Sequence, residues 1–313
     1  MAAPDVSVCV VSYECRDLLE ACLASLPRAA PEHELEIIVA DNASGDGTPE
    51  MLAAEFPTVR VLPQETNLGF AAAMNRAVAA SSAPLIAWLN PDCEVQPGAF
   101  AVLIRELQGD PDLDVVAPKL LYPRGQTQLS CGTLPRLRDA LYDNLGLSVL
   151  FPHSRVLNGH RLGHWSYDES RDVAWASGAC LMMRREAWEQ VGPLDERFFM
   201  YCEETDWFMR LHKIGGRLRF VPDAVVMHHH GAITDKVDPT QTALWGHRSK
   251  FLLFRKHYGR GAEWALRLVT LKGSALRLAL SCLGWLVAPE TRRIEARRIR
   301  LLGAVCKACM SRA

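Results

Sequence analysis

VSVCVVSY (residues 6–13) is a short, continuous apolar run rich in β-branched side chains, and it is the first indication of the fold class. Such a run is typical of a strand that is buried on both faces of a parallel sheet. Leucine and alanine recur at helical spacing in RDLLEACLASL (16–26), and EIIVADNASGDG (36–47) contains a second apolar run before a polar, glycine-rich loop. Strand, helix and strand in this order predict an α/β domain with a mostly parallel sheet flanked by helices.

The same alternation of short apolar runs and helical patterns continues along the chain. Residues 124–174 interrupt it, since they have weak periodicity, and we interpret them as an irregular excursion and a candidate mobile loop over the site. The remaining predicted elements are a helix over 48–56, a strand over 59–63, a loop and helix over 67–81, a strand over 83–92, a helix over 97–108, a strand over 114–123, a strand and helix over 173–192, a loop and helix over 194–215, and a strand pair over 216–231.

Composition excludes two broad classes of protein. The chain has 313 residues, with 35 basic and 36 acidic side chains and a formal net charge of −1, which argues against a nucleic-acid binder. A hydrophobic content of 49% excludes a disordered chain. The ten cysteines show no framework spacing, and the start lacks a basic segment followed by a long apolar one, so we expect no signal peptide and a cytoplasmic protein.

The C-terminal part changes character. Residues 244–259 predict an amphipathic basic helix, 263–287 are mostly apolar, and 291–300 carry five arginines and one glutamate. Apolar helices beside an arginine cluster favour contact with an anionic bilayer surface, and the alternative is a helical appendage packed on the core. We therefore divide the chain into a domain over 1–243, with halves of about 1–123 and 124–243, and a helical extension over 244–313.

Polar side chains follow three of the predicted strands. The strands end at Ser12–Glu14, at Asp41–Asn42 and at Asn90–Asp92. In open α/β sheets, ligands bind beyond the carboxyl ends of the strands. The sequence therefore predicts a binding site at this edge of the sheet.

Carboxylates and imidazoles recur at the ends of predicted elements. Asp41, Asp92, the run 203–206 and the histidines 228–230 would suit a divalent cation beside a diphosphate, either Mg or Mn. Each feature also has a structural interpretation. A lone Asp after a strand is often a cap or turn residue, an acidic run suits a helix N-terminus, and Asp206 with Arg210 is an ordinary i,i+4 pair.

The order of the motifs resembles a known family. VSVCVVSYE, IIVADNASGDGT, TNLGFAAAMN, WLNPDCEV and SGACLMMRREAWEQVGPLDERFFMYCEETDWFMR together resemble the family 2 glycosyltransferases of the GT-A fold, and most of all their bacterial rhamnosyltransferase-like branch. The resemblance covers about residues 5–260 and implies a Rossmann-like sheet in a catalytic domain over 1–243, with a nucleotide-binding half over about 1–123 and an acceptor half over about 124–243.

The resemblance implies a donor site. Asp41 would accept a hydrogen bond from N3–H of a uracil or thymine ring. The segment Asn90-Pro91-Asp92 stands where the family usually has Asp-x-Asp. The full set of implied nucleotide and donor contacts is Ser12, Tyr13, Glu14, Asp41, Asn42, Asn67, Gly69, Asn75, Asn90, Asp92, Ser177 and Gly178.

The resemblance also implies the metal ligands and the base. Asp92 would bind Mg or Mn on the diphosphate, together with His228 or His229. Glu204 stands where the family has the second member of a Glu-Asp pair, the expected base, and Glu203 or Asp206 could share that role. A single displacement of this kind should invert the anomeric configuration.

The implied reaction is transfer of a sugar, with L-rhamnose favoured, from a dTDP- or UDP-sugar to a polysaccharide or a polyprenyl-diphosphate-linked glycan. Such a reaction belongs to cell wall polysaccharide biosynthesis and would take place in the cytoplasm, at the inner face of the plasma membrane. A catalytically inactive nucleotide-sugar-binding protein is the alternative. A nucleotidyltransferase is disfavoured, because VSYECRD lacks a glycine-rich basic loop after the first strand.

Overall fold

The computed structural model describes residues 3–231 and 237–311. The chain divides into two compact units. The sheet unit contains the chain up to Leu134, Trp165–Phe199 and the stretch that begins at Glu203. The helical unit contains Pro135–His164, Met200–Cys202 and the C-terminal helices. Residues 135–164 thus group with the C-terminal helices, whereas the sequence analysis divided the chain at residue 243; the domain roles proposed there stay predictions.

A mixed sheet forms the core of the sheet unit. Among the described residues, nine strands form this sheet in the order β3-β2-β1-β4-β10-β6-β11-β5, with β8 paired to β11, and β7 and β9 form a separate pair. The strands are β1 (Val6–Ser12), β2 (Leu35–Asp41), β3 (Arg60–Pro63), β4 (Leu85–Leu89), β5 (Cys93–Val95), β6 (Val115–Leu121), β7 (Cys131–Gly132), β8 (Arg171–Asp172), β9 (Trp175–Ala176), β10 (Cys180–Arg184) and β11 (Leu218–His228).

The first predicted strand lies at the centre of the parallel part of the sheet. All seven residues of β1 are buried, and β1 pairs in parallel with β2 on one side and β4 on the other. Ser12 is the register partner of Asp41. The carboxyl ends of these strands therefore meet at one edge, as predicted from their polar ends.

The strand pair predicted over 216–231 is wrong. The structure has a single strand, β11, which runs parallel to β6 with a register shift between Val221 and Val225. Pro222 lies within that shift. Because proline has no N–H to donate to the ladder, an interrupted register at this point is expected.

The described residues form ten α-helices. Their bounds are α1 (Arg16–Ser25), α2 (Thr48–Glu55), α3 (Phe70–Ala79), α4 (Ala99–Gly109), α5 (Leu137–Asn144), α6 (Leu147–Leu150), α7 (Arg185–Val191), α8 (Glu203–Lys213), α9 (Pro239–Val287) and α10 (Arg292–Met310). The segment 124–174, interpreted as irregular, thus contains β7, α5, α6 and β8.

The two helices predicted over 244–259 and 263–287 both lie within α9, on the two sides of a break. Helix α9 begins at Pro239, where Asp238 accepts a hydrogen bond from the Thr240 amide, and it is interrupted at Gly259, whose φ of +85° is not helical. No helix within 3–231 or 237–311 is by itself long and apolar enough to cross a membrane. Pro239–Val287 and Pro289–Met310, bent by 118°, meet that length and composition test only as a pair.

Candidate active site

Glu14 joins the loop after β1 to the loop after β2, and Asp41 holds the second of these loops in place. Asp41 accepts hydrogen bonds from the Ser44 hydroxyl at 2.6 Å and the Ser44 amide at 3.1 Å. Glu14 accepts one from the Gly45 amide at 2.7 Å, and its own amide donates to the Ser44 hydroxyl at 3.0 Å. Asp41 and Ser12 are buried, whereas Tyr13 is partly exposed. Asp41 therefore shapes its loop, and contact with a base would use its remaining acceptor capacity.

Asn42 and Asn67 hold the loop that precedes α3. The Asn42 amide group donates to the Gly69 carbonyl at 3.3 Å, and its oxygen accepts from the Leu68 amide at 3.4 Å. Asn67 accepts from the Gly69 amide at 2.9 Å. These side chains thus set the path of the loop backbone.

Gly69 is required by the protein itself. Its φ is +82°, and a Cβ at this position would lie 2.4 Å from the Phe199 carbonyl oxygen. The Phe70 amide donates to that same carbonyl at 2.8 Å. The close approach expected at Gly69 is therefore made by Phe199, and contact with a nucleotide stays a prediction.

Asn75 uses its amide to hold a different segment. It donates to the Leu194 carbonyl at 2.9 Å and to Glu196 at 3.0 Å, and it accepts from the Leu194 amide at 2.9 Å. Both ends of this side chain are thus engaged with residues 194–196. Asn75 therefore holds residues 194–196 in place, and its contact with the donor stays a prediction.

Asp92 and His228 form a cation-sized cradle between β4 and β11. Asp92 Oδ1 and His228 Nε2 are 3.4 Å apart, and both side chains are about 94% buried. Within the described chain, Asp92 Oδ1 has no hydrogen-bond partner. A buried carboxylate oxygen without a donor, facing an imidazole nitrogen, fits a divalent cation held by an oxygen and a nitrogen ligand.

Cys93 lies beside this cradle. Its sulfur is within 4.8 Å of the ligand atoms of Asp92 and His228. The thiol donates to the Ala179 carbonyl at 3.4 Å, and burial raises the pKa of Cys93 well above its usual range. Because the thiolate is the metal-binding form, the cradle offers an oxygen and an imidazole to a cation.

Gln128 orients the His228 ring. Its amide group donates to the His228 carbonyl at 2.7 Å and to the Leu121 carbonyl at 3.3 Å. Its oxygen is therefore directed at His228 Nδ1, at 2.9 Å. Gln128 is not among the residues predicted from the sequence, since it falls in the segment without periodicity and no pattern there marks it.

The neighbouring histidines have other partners. The His229 ring pairs with Glu94 at 2.7 Å and is partly exposed, while its backbone amide donates to the Asp92 carbonyl at 2.9 Å. His230 makes an edge contact with Tyr122 at a centroid distance of 6.4 Å. Of the three histidines, His228 is the one whose ring nitrogen faces Asp92. Asn90, the first residue of the Asn90-Pro91-Asp92 segment, is half-buried, and its backbone amide donates to the Ala179 carbonyl at 2.8 Å.

The acidic pair lies at the first turn of α8. Glu203 is buried, and one of its carboxylate oxygens has no hydrogen-bond partner among the described residues. Burial raises the pKa of Glu203 well above the usual glutamate range, and the neighbouring Glu204 carboxylate raises it further. Burial also raises the pKa of Glu204, although hydrogen bonds from the backbone and from Thr205 partly oppose the shift.

Glu204 is the more accessible member of the pair and has a defined support. It is half-buried. The Thr205 hydroxyl donates to it at 3.2 Å and accepts from the Trp175 indole at 3.0 Å. A Cβ on Gly178 would lie 3.5 Å from the Glu204 stem, and the preceding Ser177 bonds to its own loop through the Ala179 amide. Gly178 thus lies beside Glu204, and the donor contacts of Ser177 and Gly178 stay predictions.

Asp206 differs from Glu204 in its burial and in its hydrogen-bond partner. Its side chain is fully buried, and one oxygen accepts from Arg210 at 3.0 Å. Arg210 in turn donates to the carbonyls of Val191, Gly192 and Pro193. This geometry argues against a direct role for Asp206 as a base, because the carboxylate anchors the helix and is closed to a substrate hydroxyl.

Similar proteins agree on the fold. Mannosyltransferase PcManGT from Pyrobaculum calidifontis, solved in complex with GDP-Man and Mn2+, has a TM-score of 0.57 at 20% identity, with 100% of this chain and 89% of that chain covered. GalNAc-T7, solved with UDP, GalNAc and Mn2+, has a TM-score of 0.54 at 18% identity, with 72% and 43% covered. The expected GT-A fold with a C-terminal helical region is confirmed.

Sequence comparison shows the family. The model of glycosyl transferase family 2 matches residues 7–157. The N-acetylglucosaminyl-diphospho-decaprenol L-rhamnosyltransferase of Mycobacterium tuberculosis is 33% identical over 308 residues, which cover 94% of this chain and 97% of that relative. The chain therefore belongs to glycosyl transferase family 2 and is a glycosyltransferase of the rhamnosyltransferase-like kind.

Proposed function

We propose that the chain is an inverting, metal-dependent hexosyltransferase that moves L-rhamnose from dTDP-rhamnose, or a related sugar from a dTDP- or UDP-donor, to a lipid-linked glycan. The observation that carries the proposal is the cradle of Asp92 and His228. A buried carboxylate oxygen without a donor is costly unless a cation occupies the site. A cation at this place suits a nucleoside diphosphate leaving group.

The donor would bind at the carboxyl edge of β1, β2 and β4. We assign recognition of the pyrimidine N3–H to Asp41, within the loops that Ser12, Tyr13, Glu14 and Asn42 form. Asn67, Gly69 and Asn90 would supply backbone and amide groups, and Ser177 and Gly178 would lie near the transferred sugar. Asp41 is buried and prearranged by Ser44, which supports a fixed acceptor at this position.

Asp92 and His228 would hold the cation. When bound, Mg or Mn neutralises the charge that develops on the leaving diphosphate. Imidazole is a better ligand for Mn than for Mg, which favours Mn here. Mn2+ is also named with the two solved GT-A glycosyltransferases. His229, whose ring is engaged with Glu94, would contribute through its backbone amide to Asp92.

Glu204 would act as the catalytic base. In the ionised form it takes the proton of the acceptor hydroxyl while that oxygen bonds to the anomeric carbon and the bond to the diphosphate breaks. Attack opposite the leaving group inverts the anomeric centre. Its half-buried position and the support of Thr205 and Trp175 favour Glu204 over the more buried Glu203.

The proposed acceptor follows from the M. tuberculosis relative, whose name specifies a decaprenyl-diphosphate-linked N-acetylglucosamine. We propose a polyprenyl-diphosphate-linked sugar, used at the inner face of the plasma membrane. An inactive nucleotide-sugar-binding protein would not need a buried metal cradle together with a glutamate of raised pKa.

The test is a transfer assay with the purified 313-residue chain, polyprenyl-diphosphate-linked N-acetylglucosamine and dTDP-rhamnose or UDP-glucose, with MnCl2, MgCl2 or EDTA. We expect a rhamnosylated product with dTDP-rhamnose and Mn, and none with EDTA. Melting temperatures measured with dTDP, UDP or GDP report binding alone, since a ligand of the folded state raises its stability. Equal turnover in EDTA, or stabilisation by GDP alone, would refute the proposal.

A further inference from the structure

The C-terminal end of α9 exposes a group of large apolar side chains to solvent. Residues 278–289 contain no charged side chain. Six large apolar side chains near this end are nevertheless exposed, from 40% for Trp285 to 69% for Val287: Leu276, Leu280, Leu283, Trp285, Leu286 and Val287. A monomeric protein seldom leaves such a continuous apolar patch in water, so a covering partner is expected.

A second exposed apolar segment belongs to the same unit. Asn144, at the end of α5, contacts α9, because a Cβ on Gly273 would lie 2.7 Å from its side-chain oxygen and Arg277 donates to that oxygen at 3.2 Å. The chain continues into α6, where Val149 and Leu150 are 78% and 70% exposed. The helical unit therefore has a second exposed apolar segment, in α6.

A cluster of positive charge follows the apolar end directly. Arg292 donates to the Trp285 carbonyl at 3.1 Å and stacks on the Trp285 ring at 5.1 Å, which fixes the turn between α9 and α10. Acidic side chains in this region are Glu290 and Glu295, and Glu295 is buried and paired with Arg298. The exposed arginines of α10 are Arg292, Arg293, Arg297, Arg298 and Arg300.

We propose that the apolar end of α9 (residues 276–287) and the exposed arginines of α10 together bind an anionic lipid bilayer at the level of the headgroups. We call this surface the docking tip. Leucines and a tryptophan would enter the boundary of the acyl chains, and the arginines would contact lipid phosphates. The uncharged run of 278–289 is about 18 Å long as a helix, well short of the about 30 Å of a hydrocarbon core, so the tip lies in one leaflet. Charge complementarity selects a bilayer over an apolar protein partner.

The primary test is co-sedimentation of the full chain with vesicles of phosphatidylcholine and phosphatidylglycerol, with phosphatidylcholine vesicles as the neutral control. The chain should pellet with the anionic vesicles, and NaCl should weaken the binding. No donor or acceptor is present, so an inactive transferase would still bind and the two proposals fail separately. Absence of pelleting with anionic vesicles would overturn the proposal.

Variants locate the surface. Leu283→Asp with Leu286→Asp should lower the partition coefficient at least about tenfold, and so should Arg292→Glu with Arg293→Glu. Matched controls are Ile214→Asp, an exposed apolar residue of the sheet unit, and Arg105→Glu, an exposed arginine of α4. If the leucine double variant fails to fold, the arginine double variant still tests the proposal. Variants that bind like the wild type would overturn the assignment.

Size-exclusion chromatography with light scattering tests whether a second copy of the chain, and not a bilayer, covers the docking tip. If the lipid-free chain is a stable dimer that Leu283→Asp converts to a monomer, a second copy covers the surface and the bilayer proposal is wrong. A monomer whose exposed Cys282, labelled with an environment-sensitive fluorophore, gains emission only with anionic vesicles would support it.

Discussion

The Gln128 side chain holds the His228 imidazole in one tautomer. Gln128 donates to two backbone carbonyls, which cannot donate in return, so its oxygen must accept the proton on His228 Nδ1. In the neutral ring, the Nε2 lone pair then faces Asp92 Oδ1 at 3.4 Å. Two acceptors directed at each other in a buried site favour a cation between them.

Gln128→Leu should therefore weaken metal binding. Loss of a partner that orients a metal-ligating histidine typically lowers affinity about 10–100-fold. Free Mn2+ measured by electron paramagnetic resonance, with dTDP present, reports the affinity without turnover. Gln126→Leu, at an exposed position two residues earlier, is the control and should bind Mn2+ like the wild type. An unchanged affinity in Gln128→Leu would show that the ring needs no such support.

Asp92→Asn should abolish metal-dependent turnover while leaving the fold intact. The isosteric amide removes the charge that binds the cation. Without metal, the free energy of unfolding should not fall, because the wild-type oxygen it replaces has no hydrogen bond to lose. Urea unfolding in EDTA and Mn2+ binding are the measurements. Glu94→Gln, which changes the carboxylate paired with His229, is the matched control and should retain Mn2+ binding.

Glu204→Gln should lower kcat by about 10²–10⁴-fold while donor affinity is kept, since only the base is lost. In the wild type, kcat should rise with pH as Glu204 loses its proton, with a midpoint above the usual glutamate range, because burial raises its pKa. Single-turnover rates over a pH series, and dTDP binding by calorimetry, check both parts. A larger loss of kcat in Glu203→Gln would transfer the assignment to Glu203.

Glu203 should make the fold less stable as the pH rises. Its pKa is raised in the native state, so above the ordinary value of 4.5 the native state holds a proton that the unfolded state has released. The free energy of unfolding then falls with rising pH, by about 1.4 kcal/mol for each unit of pKa difference. Glu203→Gln should flatten this decline in urea unfolding with EDTA. Glu189→Gln, at an exposed position of α7, should leave the slope unchanged.

Gly69→Ala should destabilise the chain more than Gly98→Ala does. Both glycines have positive φ; Gly98 is in the left-handed helical region, which costs an alanine about 1–2 kcal/mol, and Gly69, with ψ of 172°, is in a region that only glycine commonly adopts. At Gly69 the new Cβ would also lie 2.4 Å from the Phe199 carbonyl, whereas nothing lies within 4 Å at Gly98. We expect an additional cost of about 1–3 kcal/mol from this overlap. Equal midpoints in urea would indicate that the Phe199 backbone moves at little cost.

Local patterns predicted most elements outside residues 124–174 and the edge of the sheet at which Asp41 and Asp92 lie. The buried run of β1 and the polar ends at Asp41 and Asp92 follow from periodicity and from the geometry of parallel sheets. The pattern failed at β11, where an apolar run with a central proline was interpreted as two strands and the structure has one with a shifted register. The periodicity of a sequence does not show which strands pair with one another in the sheet.

The order of motifs along the chain is enough to predict the family, the fold and the types of residue at the candidate site. Which of these residues lie next to one another depends on the folded chain. It placed His228 opposite Asp92 and His229 opposite Glu94, engaged Asn75 with Leu194, and buried Asp206 against Arg210. It also brought Gln128 to a histidine one hundred positions away. Such pairings depend on how segments that are far apart in the sequence pack together. A sequence pattern does not give the spatial distance between two residues.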